Sequence, residues 1–200
     1  MQATKILSPD YKHLRSFDLK RDRSLLIKLN LAGLFLLLPV GWLFLSLGTL
    51  LNPQTSPVSS IRSPTSSLPF QILAYLCAAF LAIILHELIH GIFFWIVTRT
   101  PPKFGFKGAY AFAAAPEWYI ARDPYLWIGI SPLIVISLAG ILVIPALQPW
   151  ILPAWLFMLI VNATGAVGDV YVVSWLIRKP KNLLIQDSGD LIIVYSLAPD

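Results

Sequence analysis

The chain is 200 residues long, 57% hydrophobic and only 12% charged, with a mean hydropathy of +0.73. A soluble domain carries about twice that share of charge, so an ordinary water-soluble fold is excluded. The net charge of +5 and pI of 9.4 do not call for nucleic acid, because the basic residues sit in short polar segments beside long uncharged runs, where lipid headgroups meet them.

In chain order, residues 1–30 are polar and carry seven Lys/Arg. No cleavage-site pattern follows a short apolar core, so the first apolar run is expected to be an uncleaved anchor. Between Lys28 and Arg62 there is no charge, between Arg62 and Arg99 only Glu87, and between Asp123 and Asp169 none. Runs of about 20 uncharged residues cross a hydrocarbon core of roughly 30 Å. They predict four spans, about 31–51, 70–97, 125–147 and 150–177. Pro149 and Pro153, in "LQPWILPAW", suit the tight turn and helix start between the last two. Trp150, Trp155 and Trp175 are placed as interface anchors or core residues.

The connections are short. Residues 52–68, "NPQTSPVSSIRSPTSSL", read as an irregular outer loop. Residues 101–118, "PPKFGFKGAYAFAAAPEW", alternate enough for a hairpin, and 183–195, "LLIQDSGDLIIVY", place two apolar runs around a turn-forming cluster. The expected fold is an all-α polytopic membrane protein: one membrane domain over 1–200, four transmembrane helices, and small hairpins in these two segments. Cys77 is the lone cysteine, so no internal disulfide can form.

Orientation follows from counting. Residues 1–30, 98–124 and 178–200 carry seven, four and three Lys/Arg, against one, Arg62, in 52–68 and none in the turn at 148–149. The positive-inside rule then places both termini and the 98–124 loop in the cytoplasm.

Within the second run, "LAIILHELIHGIFFW" holds His86, Glu87 and His90 in an H-E-x-x-H pattern. Residues four apart on a helix differ by about 40° in azimuth and 6 Å in height, so both imidazoles project from one face and can bind one zinc ion. Glu87 lies beside that direction, where a base can take a proton from a water activated by the metal. Ala74, Ala78 and Ala82 continue the histidine stripe and let another helix approach. Unpaired polar groups in hydrocarbon cost kcal/mol each, which argues against chance retention of three of them.

A third ligand is needed, and Asp169, in "VNATGAVGDVYVV", is the remaining charge well inside a span. It precedes Arg178 by nine residues, as His90 precedes Arg99, so both lie about 14 Å above a basic residue on parallel spans. Asp169 is expected as the third metal ligand, or else as a hydrogen-bonding partner of a neighbouring helix. Gly165, Ala166 and Gly168 are expected to thin the span for close packing. Asn162, seven residues before Asp169, either orients substrate or stabilises an oxyanion, or serves as interhelical glue. Glu117 and Asp123 read as solvated loop charges, Asp187 and Asp190 as turn residues, and His13 lies in the polar N-terminal segment.

"HELIHGIFFW", the Gly/aromatic loop, "ISPLIVI", "NATGAVGD" and "IQDSGD" together resemble the zincin peptidase family of small membrane proteins, over roughly 15–195. More distantly the arrangement is similar to site-2-type intramembrane metalloproteases, which carry H-E-x-x-H on one span and an Asp after an Asn/Pro/Gly-rich stretch on a later one. The resemblance implies His86, His90 and Asp169 as ligands, Glu87 as catalytic base and Asn162 as the polar residue upstream of the Asp. Prolines expected between Asn and Asp are absent, and Val170 follows Asp169 where a Gly is expected.

The expected function is therefore a zinc-dependent intramembrane or membrane-proximal endopeptidase with one Zn²⁺ per chain. Its expected partners are membrane lipid and a membrane-protein or peptide substrate, with the oligomeric state open. Residues 101–118 would hold an unwound substrate by strand addition, or rest on the headgroups as a lid. His/His/Asp suits zinc without excluding iron or cobalt. The alternative is a non-catalytic membrane protein with a structural metal site that binds transmembrane partners. A transporter is disfavoured because the spans show neither paired half-helices nor an inverted repeat.

Overall fold

The computed structural model describes residues 3–18, 21–54, 67–106 and 111–198. Most of the Ser/Thr/Pro-rich 52–68 loop, with Arg62, lies outside the described residues, as does the tip of the 101–118 hairpin.

Among the described residues, five α-helices carry the apolar runs. The first, α1 (Arg23–Leu51), begins eight residues before the expected span. Asp22 explains the early start: its Oδ1 accepts the Leu25 N–H at 2.9 Å, an N-cap that fixes where helix begins whatever the charge of the next residues. The second, α2 (Leu68–Thr98), runs 31 residues without proline past its first turn. It stops where Arg99 takes a left-handed backbone (φ 57°) and Pro101 and Pro102 follow, which cannot continue a helix. Helix α3 (Arg122–Val143) holds Pro132 in its interior and tightens into a 3₁₀ turn at Ile144–Ala146. The fourth predicted span is two helices, α4 (Leu152–Gly165) and α5 (Val167–Ile177), bent by 41°. By length and composition α1, α2 and α3 can each cross a membrane, and α4 with α5 meets the same test as one broken span. Their outer faces stay apolar, with Phe35, Leu38 and Leu142 at 75–80% exposure, as side chains that face hydrocarbon do.

Gly165 and Gly168 do not thin the span. A Cβ at either position would meet nothing within 4 Å. They mark the break between α4 and α5, and close approach happens elsewhere: a Cβ on Gly129 would lie 2.7 Å from Val173, and one on Gly140 2.2 Å from Leu159.

The strands are β1 (Ala3–Thr4), β2 (Tyr11–Asp18), β3 (Lys103–Phe106), β4 (Ala111–Ala114), β5 (Tyr119–Ala121), β6 (Leu184–Asp187) and β7 (Leu191–Leu197). Both predicted hairpins are present: β3 pairs with β4 in a two-stranded sheet, and β6 with β7. The tail hairpin is also the middle of something larger, an antiparallel five-stranded sheet of order β1-β5-β6-β7-β2. Its registers bring Phe17 opposite Ile192, Ile185 opposite Val194 and Ile120 opposite Ile185.

Two compact units share the chain. One comprises residues 1–30, 87–131 and 168–200, the other 31–86 and 132–167. In the first, one face of the five-stranded sheet (Phe17, Ile120, Ile185, Val194) joins Phe94, Tyr125, Ile128 and Leu176 from α2, α3 and α5 in a single buried cluster. In the second, Leu159 of α4 fills the space left by Gly140 of α3, Tyr75 of α2 meets Phe157 edge-on at 5.2 Å, and buried Asn52 donates to the carbonyls of Ile144 and Leu147. The unit boundaries follow Asn30, His86, Ser131 and Val167.

Candidate metal centre

Helix α2 presents His86 and His90 one turn apart, and each imidazole is held by its Nδ1. The His86 Nδ1 lies 3.0 Å from Asn162 Oδ1 on α4, and the His90 Nδ1 lies 2.8 Å from the Ile128 carbonyl oxygen on α3. Both partners are acceptors only, and the Asn162 amide is turned so that its Nδ2 donates to the Pro132 carbonyl at 3.5 Å. Both Nδ1 atoms are therefore donors, which makes Nε2 the ring nitrogen through which each imidazole could ligate a cation.

The break between α4 and α5 places Asp169 in the first turn of α5, where the amide end of the helix favours a negative charge. Its Oδ1 lies 3.6 Å from His90 Nε2. His86, His90 and Asp169 each offer a ligand atom, and these atoms all lie within 4.8 Å of one another. Zinc–ligand bonds of about 2.0–2.2 Å in a tetrahedron set neighbouring ligand atoms roughly 3.3–3.6 Å apart. The His90–Asp169 spacing already matches, and a donor set of two imidazoles and one carboxylate suits zinc. The residues fit the ion. Among the described residues, His13 stands apart on β2, its Nε2 2.7 Å from Ser16 Oγ.

Glu87 follows His86 on α2, and its Oε2 accepts the Ala113 N–H of β4 at 2.7 Å. Strand β4 is brought there by glycines. Phe104 of β3 lies over Gly91, where a Cβ would come within 2.3 Å of its ring, and Phe112 of β4 packs on Gly105 and Gly189.

Asp187 proves to be more than a turn residue. It is 7% exposed, accepts the Tyr125 hydroxyl at 2.6 Å and the Gly189 N–H at 2.7 Å, and lies within the electrostatic reach of His90 and Asp169. Burial pushes its carboxyl above the usual carboxylate range, against the lowering effect of the two hydrogen bonds. Glu117 is fully exposed, and Lys103 and then Lys5 hold its carboxyl below the usual range. Asp123 pairs with Arg122.

Sequence reasoning overlooked Tyr125, the Ile128 carbonyl and the Ala113 amide, and it took Asp187 for a turn residue only. The carbonyl and the amide are main-chain groups whose side chains say nothing of their use. Pro132, in the middle of an apolar helix, was the available signal.

A family model described as Putative zincin peptidase (DUF3267) matches residues 79–184, just over half of the chain, and takes in His86, Glu87, His90, Asn162 and Asp169. No curated protein and no solved structure matches the chain. None of these comparisons supports the distant likeness to site-2-type proteases. On the span of that family model, the chain belongs to the Putative zincin peptidase family.

Proposed function

We propose that this protein is a zinc-dependent endopeptidase that cleaves peptide bonds within or beside a membrane. The observation that carries the reading is the meeting of His86, His90 and Asp169 with both imidazole Nδ1 atoms already engaged. A zinc ion held there supplies Lewis-acid polarisation of the scissile carbonyl and lowers the pKa of the attacking water toward about 7.

The chain's own groups supply the rest. Glu87 takes the proton from that water and passes it to the leaving nitrogen. The Ala113 N–H holds Oε2 of that carboxylate, so the base keeps one orientation through the proton transfers. Asn162, nearly fully buried and bonded to His86, serves as a positioning residue in this reading, and an oxyanion role would require it to leave that bond. Substrate must arrive unwound, because a helix hides its carbonyls in internal hydrogen bonds. The β3–β4 hairpin, bonded to Glu87, is the element to which an extended segment would add. The fourteen-to-one split of Lys/Arg supports a cytoplasmic location for both termini and for this hairpin, with membrane lipid around the helices.

Metal analysis of the purified protein beside His86→Ala and Asp169→Ala tests the site. Stoichiometric zinc in the wild type and its loss in both variants is expected, and retention in Asp169→Ala would reassign the third ligand. Glu87→Gln separates the enzyme from a non-catalytic partner-binding protein. It should keep the zinc and abolish cleavage of extended fluorogenic peptides in micelles.

A further inference from the structure

Pro132 interrupts the hydrogen-bond ladder of α3, and what it leaves open is a carbonyl. In a helix the C=O of residue 128 bonds the N–H of residue 132, and a proline there has none to give. The freed Ile128 oxygen accepts from His90 Nδ1 at 2.8 Å and from Ser131 Oγ at 2.9 Å. One residue along, Gly129 lets Val173 of α5 come within reach of where a Cβ would stand, one turn after Asp169. The carbonyl of Pro132 itself takes the Asn162 amide, whose oxygen holds His86. Ile128–Pro132 thus reaches His90 directly through one main-chain oxygen and His86 through another by way of Asn162.

Resting on the metal reading above, we infer that Pro132 is a positioning residue for the metal centre: its missing N–H dedicates the Ile128 carbonyl to His90 Nδ1, and this fixes the tautomer that presents Nε2 to the ion. An amide at position 132 would compete for the same oxygen. His90 would then be free to carry its proton on Nε2, the form that cannot bind. Ser131 is the existing competitor, and a carbonyl oxygen has room for two donors but not for three.

The test compares wild type, Pro132→Ala, and an ester variant in which the α-hydroxy acid counterpart of alanine occupies position 132, so that ring and N–H are both absent. Pro39→Ala, which removes the proline inside α1, is the control for loss of a helix proline as such. Two readouts are taken on metal-free and zinc-titrated protein in micelles: zinc affinity, and the long-range ¹⁵N–¹H pattern of labelled histidine at a pH where the imidazoles are neutral. The chain has three histidines, with His13 as internal reference. Wild-type His90 should be an Nδ1–H tautomer. Pro132→Ala should shift it toward Nε2–H and weaken zinc about 10- to 100-fold, the usual cost of losing such a partner. The ester should restore both, and Pro39→Ala should alter neither.

An Nε2–H pattern for His90 in the wild type overturns the inference, even if Pro132→Ala fails to fold. So does a Pro132→Ala protein with unchanged tautomer and affinity, or an ester variant that behaves like alanine. If the wild type binds no zinc at all, the metal reading falls, and the tautomers of the metal-free proteins still decide the role of Pro132.

Discussion

Tyr125→Phe removes one oxygen from the interior and leaves the ring in place. That oxygen lies 2.6 Å from Asp187 Oδ2, between residues 3% and 7% exposed, so water cannot replace it. A hydrogen bond to a charged group in such a setting contributes about 1.5–3 kcal/mol, and the Gly189 N–H at 2.7 Å remains to share the carboxylate. We expect a loss of about 2 kcal/mol at a pH where Asp187 is ionised, which for a chain of this size lowers the apparent melting temperature by about 4–8 °C.

The pH dependence carries a sign. Burial raises the folded pKa of Asp187 above 3.8, so ionising it opposes folding. The neutral form's advantage is complete below the unfolded pKa and is lost as pH rises through the folded pKa. Removing the hydroxyl raises the folded pKa further. The variant's deficit should therefore be smallest in acid, about 1 kcal/mol for a neutral hydrogen bond, and grow as the wild-type carboxyl ionises. In an Asp187→Asn background the deficit should stay near that smaller figure at every pH. Thermal unfolding in micelles reports it through tryptophan fluorescence, since Trp118 and Trp175 pack against the same cluster. A melting temperature within about a degree of wild type, or one deficit at all pH values, would refute the account of a charge-assisted buried bond.

Three further outcomes follow from the packing. Gly91→Ala drives a methyl into the Phe104 ring, 2.3 Å from Cζ, so the hairpin must lift; hydrogen exchange at the Ala113 amide should quicken while zinc is retained, and Phe104→Ala should reverse it. Gly140→Ala overlaps the fully buried Leu159 and should cost about 1–3 kcal/mol of stability, partly recovered by Leu159→Ala. Glu117→Gln breaks pairs with Lys103 at 2.7 Å and Lys5 at 3.4 Å, both exposed, and melting should be indistinguishable from wild type in physiological salt. Because Lys103 and Lys5 depress the Glu117 pKa, any contribution is present above the unfolded value and lost as pH falls through the folded one.

The apolar runs were legible along the chain because length and absence of charge need no knowledge of neighbours. Helices occupy all four, and the spacing of His86 and His90 is a property of one helix. Asp169 could be paired with them by depth, since rise per residue is fixed. The rest depended on partners distant in sequence. Strand β2 escaped notice because of its eight residues only Phe17 is buried, and its partner β7 lies over 170 residues away. Gly165 and Gly168 looked like a packing stripe and turned out to mark a helix break, because composition does not tell what faces a missing side chain.

What the sequence by itself determined is which side chains can hold a cation and on which helices they ride, because ligand chemistry and helical spacing are local. Only the tertiary structure decided what orients them. The Ile128 carbonyl and the Ala113 amide meet His90 and Glu87 across 38 and 26 residues, and every residue but proline carries the same main-chain oxygen and N–H.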